Sequence, residues 1–468
     1  MSLYRPVLPQ EILDMIIESV SCFRIAKHRT AGLSSIALVS RSFRERAHGY
    51  LFAAVKLPDL NKHHRTSAEK QGKKRIREFY ELSEANPRLT SRITYLAVQL
   101  EDSCQETAAR VAKIFSQVFA CPQGTSHPRP CSLWLDARHQ SLYAFGEEFG
   151  RRFFEIVQNP RLTHLYLRNL YGLPNDLLRG SSIKHLEALN LSLSWMSKPR
   201  SALAGAYSGV PSVKCPNGRV IHCDVAVLDS LTISSTFPVT FFLDMSRHQS
   251  VAPEHLFSKL KYLEITEDLV VYNAHIWRLL ENKAFGPGLA TVKLEALYIR
   301  PDIGIYPESL YPIHLLSNLT TLILSYGVVT KPDSTNLTFT AFRKLLSQDQ
   351  GLPSKLRNII LQFSLSALDL VETIPSYKWW RLDELFSERR FERLDSLTLE
   401  VCVDLATDDT VVSQLDKWSC KGYDAKEVAT YLKGQFPLVM GEAKFEFDVS
   451  FEGDVVLVFE PPPKLEYN

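Results

Sequence analysis

The chain has 468 residues, 45% of them hydrophobic and 23% charged, with a net charge of +2. That length leaves room for about three domains of ~150 residues, or for one long repeat array, and the balance is that of an ordinary folded chain. Near-neutral charge gives no global field to draw nucleic acid or a membrane surface, so neither is expected as a partner.

No stretch reaches the ~18 apolar residues of a membrane span. Glu11, Asp14 and Glu18 interrupt what a secretory leader would need. Eight cysteines (Cys22, Cys104, Cys121, Cys131, Cys215, Cys223, Cys402, Cys420) form no CxxC pair and no regular framework. Free thiols in a reducing compartment follow, so the expected location is intracellular, cytoplasmic or nuclear. The sequons at Asn190, Asn318 and Asn336 are then chance.

A helix is expected from Pro9, whose missing N–H costs nothing in a first turn. Ile12, Leu13, Ile16, Ile17 and Val20 give it a broad apolar stripe. A break is expected in 27–35, where Gly32, Ser34 and Ser35 offer turn and cap chemistry. A second helix then starts near Ile36, with Leu38, Val39, Phe43, Ala47, Leu51 and Phe52 as its apolar positions. Three short helices in ~50 residues hide only about 60% of their surface. The rest must be covered by a partner or by the domain that follows.

Leu8, Pro9, Glu11, Ile12 and Leu13, then Leu38 to Arg41, then Arg46 to Phe52, form an ordered set that resembles an F-box, in particular those of fungal F-box proteins. The likeness spans roughly residues 6–55. Phe43 stands where many members have Trp, and the stretch between the first two helices is longer. The resemblance implies docking on the S-phase kinase-associated adaptor, and through it on a cullin, by burial of a helix in a groove. Leu8, Pro9, Ile12, Ile16, Leu38, Val39 and Phe43 are the implied adaptor contacts. Leu13, Ile17, Leu51 and Phe52 are left as the module's own core. A basic stretch with Lys70, Lys73, Lys74, Arg75 and Arg77 follows, best read as a solvated helix face.

From residue 93 onward one pattern recurs: apolar-x-x-apolar-x-apolar. It begins at Ile93, Leu162, Leu186, Leu228, Leu260, Leu294, Leu319, Leu356 and Leu394, with a weaker copy at Pro130, and successive starts lie 24 to 42 residues apart. Its last three residues alternate as a strand with one buried face would. Helices are expected between the strands, at 275–285, 337–348 and 379–391. One strand and one helix per unit make a solenoid. The series resembles leucine-rich repeats. The family's Asn or Cys is replaced by Leu170, Ser194, Thr236 and Asp268, so no Asn ladder and no regular period are expected.

On such a strand the residues between the buried ones face solvent. Tyr95, Trp134, His164, Tyr166, Arg168, Tyr262, Glu264, Tyr298 and Arg300 are therefore the candidate target-binding residues, with Asn190 and Gln362 on the same side. Tyr, Trp and Arg are the residue types that dominate interfaces. The Ser/Gly/Pro-rich insert after Leu191 reads as a surface loop. Helices at 409–418 and 425–436 and a strand pair around 444–460 are expected to cap the open end.

No P-loop, HExxH, GxSxG or kinase set is present. Cys121, His127 and Cys131, or Cys215, His222 and Cys223, fit no zinc spacing. No metal, cofactor or catalytic residue is expected. The fold class expected is α/β: a short all-α F-box at 1–57, a basic connecting helix or loop at 58–89, an irregular leucine-rich-repeat-like solenoid with a mainly parallel sheet at 90–403, and a helix/strand cap at 404–468. The implied function is the non-catalytic substrate receptor of a cullin-type (SCF) ubiquitin ligase. The alternative is a leucine-rich scaffold that binds a protein without any ligase.

Overall fold

The computed structural model describes residues 10–21, 26–57, 65–100, 104–120, 129–173, 177–178, 180–189, 191–193, 226–234, 257–266, 294–299, 313–326, 345–346, 351–366, 380–404, 430, 433–438 and 445–452. Among them the protein is α/β, and every strand pair is parallel. The described residues up to Leu228 belong to one compact unit and those from Asp229 onward to a second.

The first unit opens with helices α1 (Gln10–Ser21), α2 (Ala26–Ala37) and α3 (Arg41–Leu51). The expected break at 27–35 is wrong: that stretch is helical, and the turn falls at Leu38–Ser40. Gly32 serves a close approach instead. A Cβ there would stand 2.7 Å from Cγ1 of Val20, so the glycine lets α1 and α2 meet. Ser35 turns its hydroxyl back onto the carbonyl of Ala31 at 3.0 Å. The N-cap is Ser40, whose side chain accepts from the Phe43 N–H at 3.2 Å. Ile17, Leu33, Ala37 and Ala47 close a small core, with Val20, Ile36, Phe43, Tyr50 and Leu51 around it. Arg46 pairs with Asp14 at 3.4 Å and ties α3 to α1.

Strand β1 (Ala54–Leu57) follows, then α4 (Arg65–Ala85) and the short α5 (Pro87–Thr90). On α4 the exposed Lys74 and Arg77 pair with Glu78 and Glu81 one turn on, at 3.6 and 3.9 Å. That much of the basic run is a solvated helix face. Next come β2 (Tyr95–Gln99), α6 (Gln105–Val118), β3 (Cys131–Ser141), α7 (Glu147–Val157), β4 (Leu162–Leu173), β5 (His185–Leu189) and the two-residue β6 (Ser192–Leu193). β1 to β5 pair in chain order, and β6 pairs with the end of β4.

Periodicity explains why the helices hold. α6 buries Ala108, Val111, Ala112, Ile114, Phe115 and Val118, at helical spacing. α7 buries Phe149, Phe153, Ile156 and Val157. Phe149 meets Phe115 and Phe145 at centroid distances of 5.8 and 5.2 Å, inside the range where aromatic pairs attract. The opposite side of α7 is a lattice of Glu148, Arg151, Arg152 and Glu155.

The second unit contains β7 (Ser230–Ser234), β8 (Tyr262–Thr266), β9 (Ala296–Ile299), β10 (Thr321–Tyr326), β11 (Asn358–Ser366), α8 (Trp380–Phe386), β12 (Ser396–Asp404) and β13 (Phe445–Glu452). Its strands also pair in chain order. The helix expected at 379–391 is α8 followed by a 3-10 turn at Arg389–Phe391. β13 extends the parallel ladder beside β12. Its expected partner after Gly453, the insert from 194 to 225 and the helices at 275–285 and 409–418 lie outside the described residues. Only short parts of 337–348 and 425–436 lie within them.

The recurring pattern maps onto the register. Leu96, Leu133, Leu165 and Leu186 are consecutive partners in the first unit. Leu231, Leu263, Leu297, Leu322, Ile359 and Leu397 are consecutive partners in the second. All of these are buried. Each stacks on its partner next door, and each such side chain is worth up to ~1.5–3 kcal/mol in transfer from water. The copy expected from Leu186 is misplaced by three residues: the buried set in register with Leu162, Leu165 and Leu167 is Ile183, Leu186 and Ala188, and Leu189 is half-exposed.

Candidate protein-binding surfaces

Two surfaces stand out. The first lies on the N-terminal helices. Ile12, Met15, Ile16, Leu38 and Val39 are large apolar residues left open to solvent, at 42, 62, 44, 80 and 69% exposure. Ile17, one step round the same helix, is buried. The stripe on α1 is thus wider than the core it serves. Because Ile17 packs with Leu33 and Ala37 in one cluster, the end of α2 lies against α1. The turn carrying Leu38 and Val39 follows directly. The turn cannot fold inward, since Ser40 is held by its capping bond to α3 and Leu38 N–H and Val39 N–H donate back to Ser35 and Ile36 carbonyls.

Four of the seven residues assigned to a partner from sequence sit on this surface: Ile12, Ile16, Leu38 and Val39. Phe43 is half-buried and packs on the module's own core. Leu8 and Pro9 lie outside the described residues, as does the side chain of Leu13. Met15 was not singled out as a contact; its place beside Ile16 on a stripe already too wide was the available signal.

The second surface is the outward side of the strands. In the first unit, Ala97, Trp134, Tyr166 and Glu187 are successive partners across four strands. Tyr95, Ser132, His164 and His185 form the row beside them. The imidazoles of His164 and His185 stack at 4.1 Å, and His164 stacks on Tyr166 at 6.5 Å. Burial, then His185 and Lys184, hold the His164 pKa below its ordinary value. Burial first, then Tyr166 and Glu187, raise that of Tyr95; burial and then Glu187 raise that of Tyr166. The rings of His164, Tyr95 and Tyr166 therefore face outward as neutral groups near pH 7. Arg168 is exposed at the next outward position of β4.

In the second unit Tyr262, Glu264, Tyr298 and Gln362 are half-buried at outward positions. Glu264 accepts from the hydroxyls of Thr232 and Tyr262, each at 3.1 Å. Burial, then the Glu264 carboxylate, keep the Tyr262 phenol protonated well above its usual range. Gln362 donates to Glu400 at 2.7 Å. Arg300 and Asn190 lie outside the described residues. The outward residues not singled out from sequence are His185, Glu187, Ile323, Ile360, Glu400 and Glu446. Counting outward positions along every copy of the pattern would have found Ile323, Ile360 and Glu400; His185 and Glu187 were hidden by the misplaced copy at Leu186, and Glu446 lies in no copy.

The ends of β3 and β4 are irregular. Arg138, His139 and Asn169 have positive φ, at 45, 66 and 52°. Asp136 accepts from the Arg138 N–H at 2.9 Å and from the Asn169 amide at 3.0 Å, which holds the bulge. His139 and Tyr171 are hydrogen-bonded at 2.7 Å.

Among the described residues no group of three His, Cys, Asp or Glu side chains is placed to hold a metal. Cys131 is buried, and the buried Arg161 donates to its sulfur at 3.2 Å. Cys121, His127, Cys215, His222 and Cys223 lie outside the described residues. No described helix is long and apolar enough to cross a membrane. Set against known proteins, the chain matches no family model and no curated protein.

Proposed function

We propose that this protein is the substrate-receptor subunit of a cullin-type ubiquitin ligase. Its N-terminal helices act as an F-box that docks on the S-phase kinase-associated adaptor. The leucine-rich-repeat-like body then holds a target protein by its outward strand face. The observation that carries this reading is the exposure of Ile12, Ile16, Leu38 and Val39. These are residues that the F-box resemblance assigns to the adaptor, and an apolar patch of this kind is what a helix-in-groove contact needs.

The protein itself would break or form no bond. It would tether the target beside a ubiquitin-charged partner, so that the transfer proceeds at high effective concentration. Such a subunit needs no metal or cofactor, and works in nucleus or cytosol. A scaffold without any ligase would use the same strand face, but it leaves the helix patch without an owner.

The test is titration of the full chain with purified adaptor, beside a Leu38→Asp, Val39→Asp variant. Saturable binding by the wild type, lost in the variant, supports the reading. A wild type that does not bind, or a folded variant that binds equally well, removes it.

A further inference from the structure

The strands of the second unit have a one-sided charge. β7 to β13 contain no Lys or Arg. Their described acidic side chains are Glu264, Glu400 and Glu446, and the register places all three at outward positions. The middle of the same side is apolar. Glu264, Tyr298, Ile323, Ile360, Thr398 and Glu446 are successive partners, with Tyr298, Ile323 and Ile360 half-exposed between the two carboxylates.

Among the described residues, three bases at the strand starts are engaged with other partners. Lys261 pairs with Glu295 at 3.2 Å. Arg357 donates to the Arg393 carbonyl at 3.1 Å, and Arg393 to the Leu352 carbonyl at 3.0 Å.

The outward strands of the first unit lack this bias, carrying His164, His185 and Arg168 beside Glu187. Nothing in a parallel ladder requires carboxylates at outward positions. A row of them around an apolar centre repels phosphate and attracts cations. From β8 to β13 is five strand spacings, about 24 Å at ~4.8 Å each. An extended chain covers that with about seven residues.

We propose that the outward face of the second unit takes an extended protein segment in which Lys or Arg residues flank a short aliphatic and aromatic stretch. This rests on the reading above, in which the strand face is the target-binding surface, and gives that target a chemistry. Apolar side chains would settle on Tyr298, Ile323 and Ile360, while the cations meet Glu264 at one end and Glu400 and Glu446 at the other.

The probe is a fluorescein-labelled peptide KKLYLYLKK, with EELYLYLEE as its charge-reversed counterpart, titrated against the full chain by fluorescence anisotropy. Two variants carry the comparison. Glu264→Gln, Glu400→Gln, Glu446→Gln removes three charges from the face. Glu78→Gln, Glu81→Gln, Glu84→Gln removes three from α4 in the other unit. The basic peptide should bind saturably, and about tenfold more weakly to the first variant only. Raising salt from roughly 50 to 300 mM should weaken it about tenfold as well. Should the triple variant melt early, Glu446→Gln alone, at an exposed position, should still weaken binding about threefold.

No binding, equal binding of the acidic peptide, or equal losses in the two variants overturns the proposal; the last would mean unspecific charge attraction. Adaptor titration separates this outcome from the wider reading. Peptide binding without adaptor binding removes the ligase and keeps the face. Adaptor binding without peptide binding does the reverse.

Discussion

Alanine replacement across the helix patch should give losses graded by exposure. Fully burying a Val, Leu, Ile or Met side chain is worth ~1.5–3 kcal/mol. Leu38 leaves 80% of its surface open and Val39 69%, so a partner that covers them gains about 1–2.4 kcal/mol from each. Ile12 and Ile16 leave only 42 and 44%, so the corresponding gain is about 0.6–1.3 kcal/mol. At ~1.4 kcal/mol per factor of ten, Leu38→Ala should weaken adaptor binding about five- to fiftyfold. Ile12→Ala and Ile16→Ala should weaken it about three- to eightfold.

None of these four should unfold the module, because their side chains contribute little to its core. Ile17→Ala is the internal contrast: it is 1% exposed, and its loss should cost about 2–5 kcal/mol of stability. Adaptor affinity by calorimetry and hydrogen exchange over residues 10–52 measure the two quantities separately. The reasoning is refuted if all four variants bind like the wild type, if Ile12 and Ile16 dominate Leu38 and Val39, or if affinity falls only where exchange protection falls.

Three further outcomes follow from the geometry. Gly32→Ala gains about 1 kcal/mol of helix propensity but drives a methyl to 2.7 Å from Val20; it should destabilise the module in the wild type and stabilise it in a Val20→Ala background, read by exchange protection of α1 and α2. His164, lowered by burial and then by His185 and Lys184, and His48, lowered by burial and then by Arg92 and Arg44, take up protons more readily unfolded than folded. The first unit should therefore be most stable above the ordinary histidine range near ~6.5 and lose stability as pH falls through it; His164→Gln should flatten that fall in Tm, and a Tm that rises on acidification contradicts the sign. Arg161 donates to the Val118 and Ala120 carbonyls at the end of α6, at 3.2 and 2.7 Å, so Arg161→Met should cost about 2–5 kcal/mol in thermal unfolding; because burial pushes the Cys131 thiol up while Arg161 pulls it down, the thiol should titrate higher still in the folded variant, and a lowered thiol titration contradicts this.

The ladder was legible in sequence because its rule is local. Three apolar residues at fixed spacing fill one side of a strand, and within each unit the copies lie in register, except that the one expected from Leu186 in fact starts at Ile183. The three-helix boundary was misread because the governing contact is not local. Gly32 looks like a breaker until Val20, from another helix, is known to stand against it. The same holds for Phe43, whose spacing fits the outer stripe but whose ring joins the core of Ile17, Leu33 and Ala47. The bulge at Arg138 and His139 had no sequence signal either, since neither is a glycine; Asp136 supplies the hydrogen bonds that hold it. The long β3 and β4 likewise exceed the three alternating residues that the pattern marks.

What the ladder leaves undetermined is its most informative part. The backbone closes each strand start in the same way: Lys261 N–H to Asp229, Glu295 N–H to Lys261, Thr320 N–H to Glu295, Arg357 N–H to Thr320 and Asp395 N–H to Arg357, all through carbonyl oxygens. Side-chain identity at those positions therefore does not matter to the pairing, and acids, bases and a threonine serve alike. The buried rows constrain only the apolar side. Outward positions are free of both demands, so folding alone does not explain stacked imidazoles and tyrosines on one unit and, among the described outward strand residues, only carboxylates as charges on the other. Adjacent like charges on an open sheet are mildly destabilising. Glu264, Glu400 and Glu446 share the outward side of one ladder with no described cation among them, a cost that binding a cation would offset, and on this ground the proposed choice of target is sought in the outward rows rather than in the repeat that displays them.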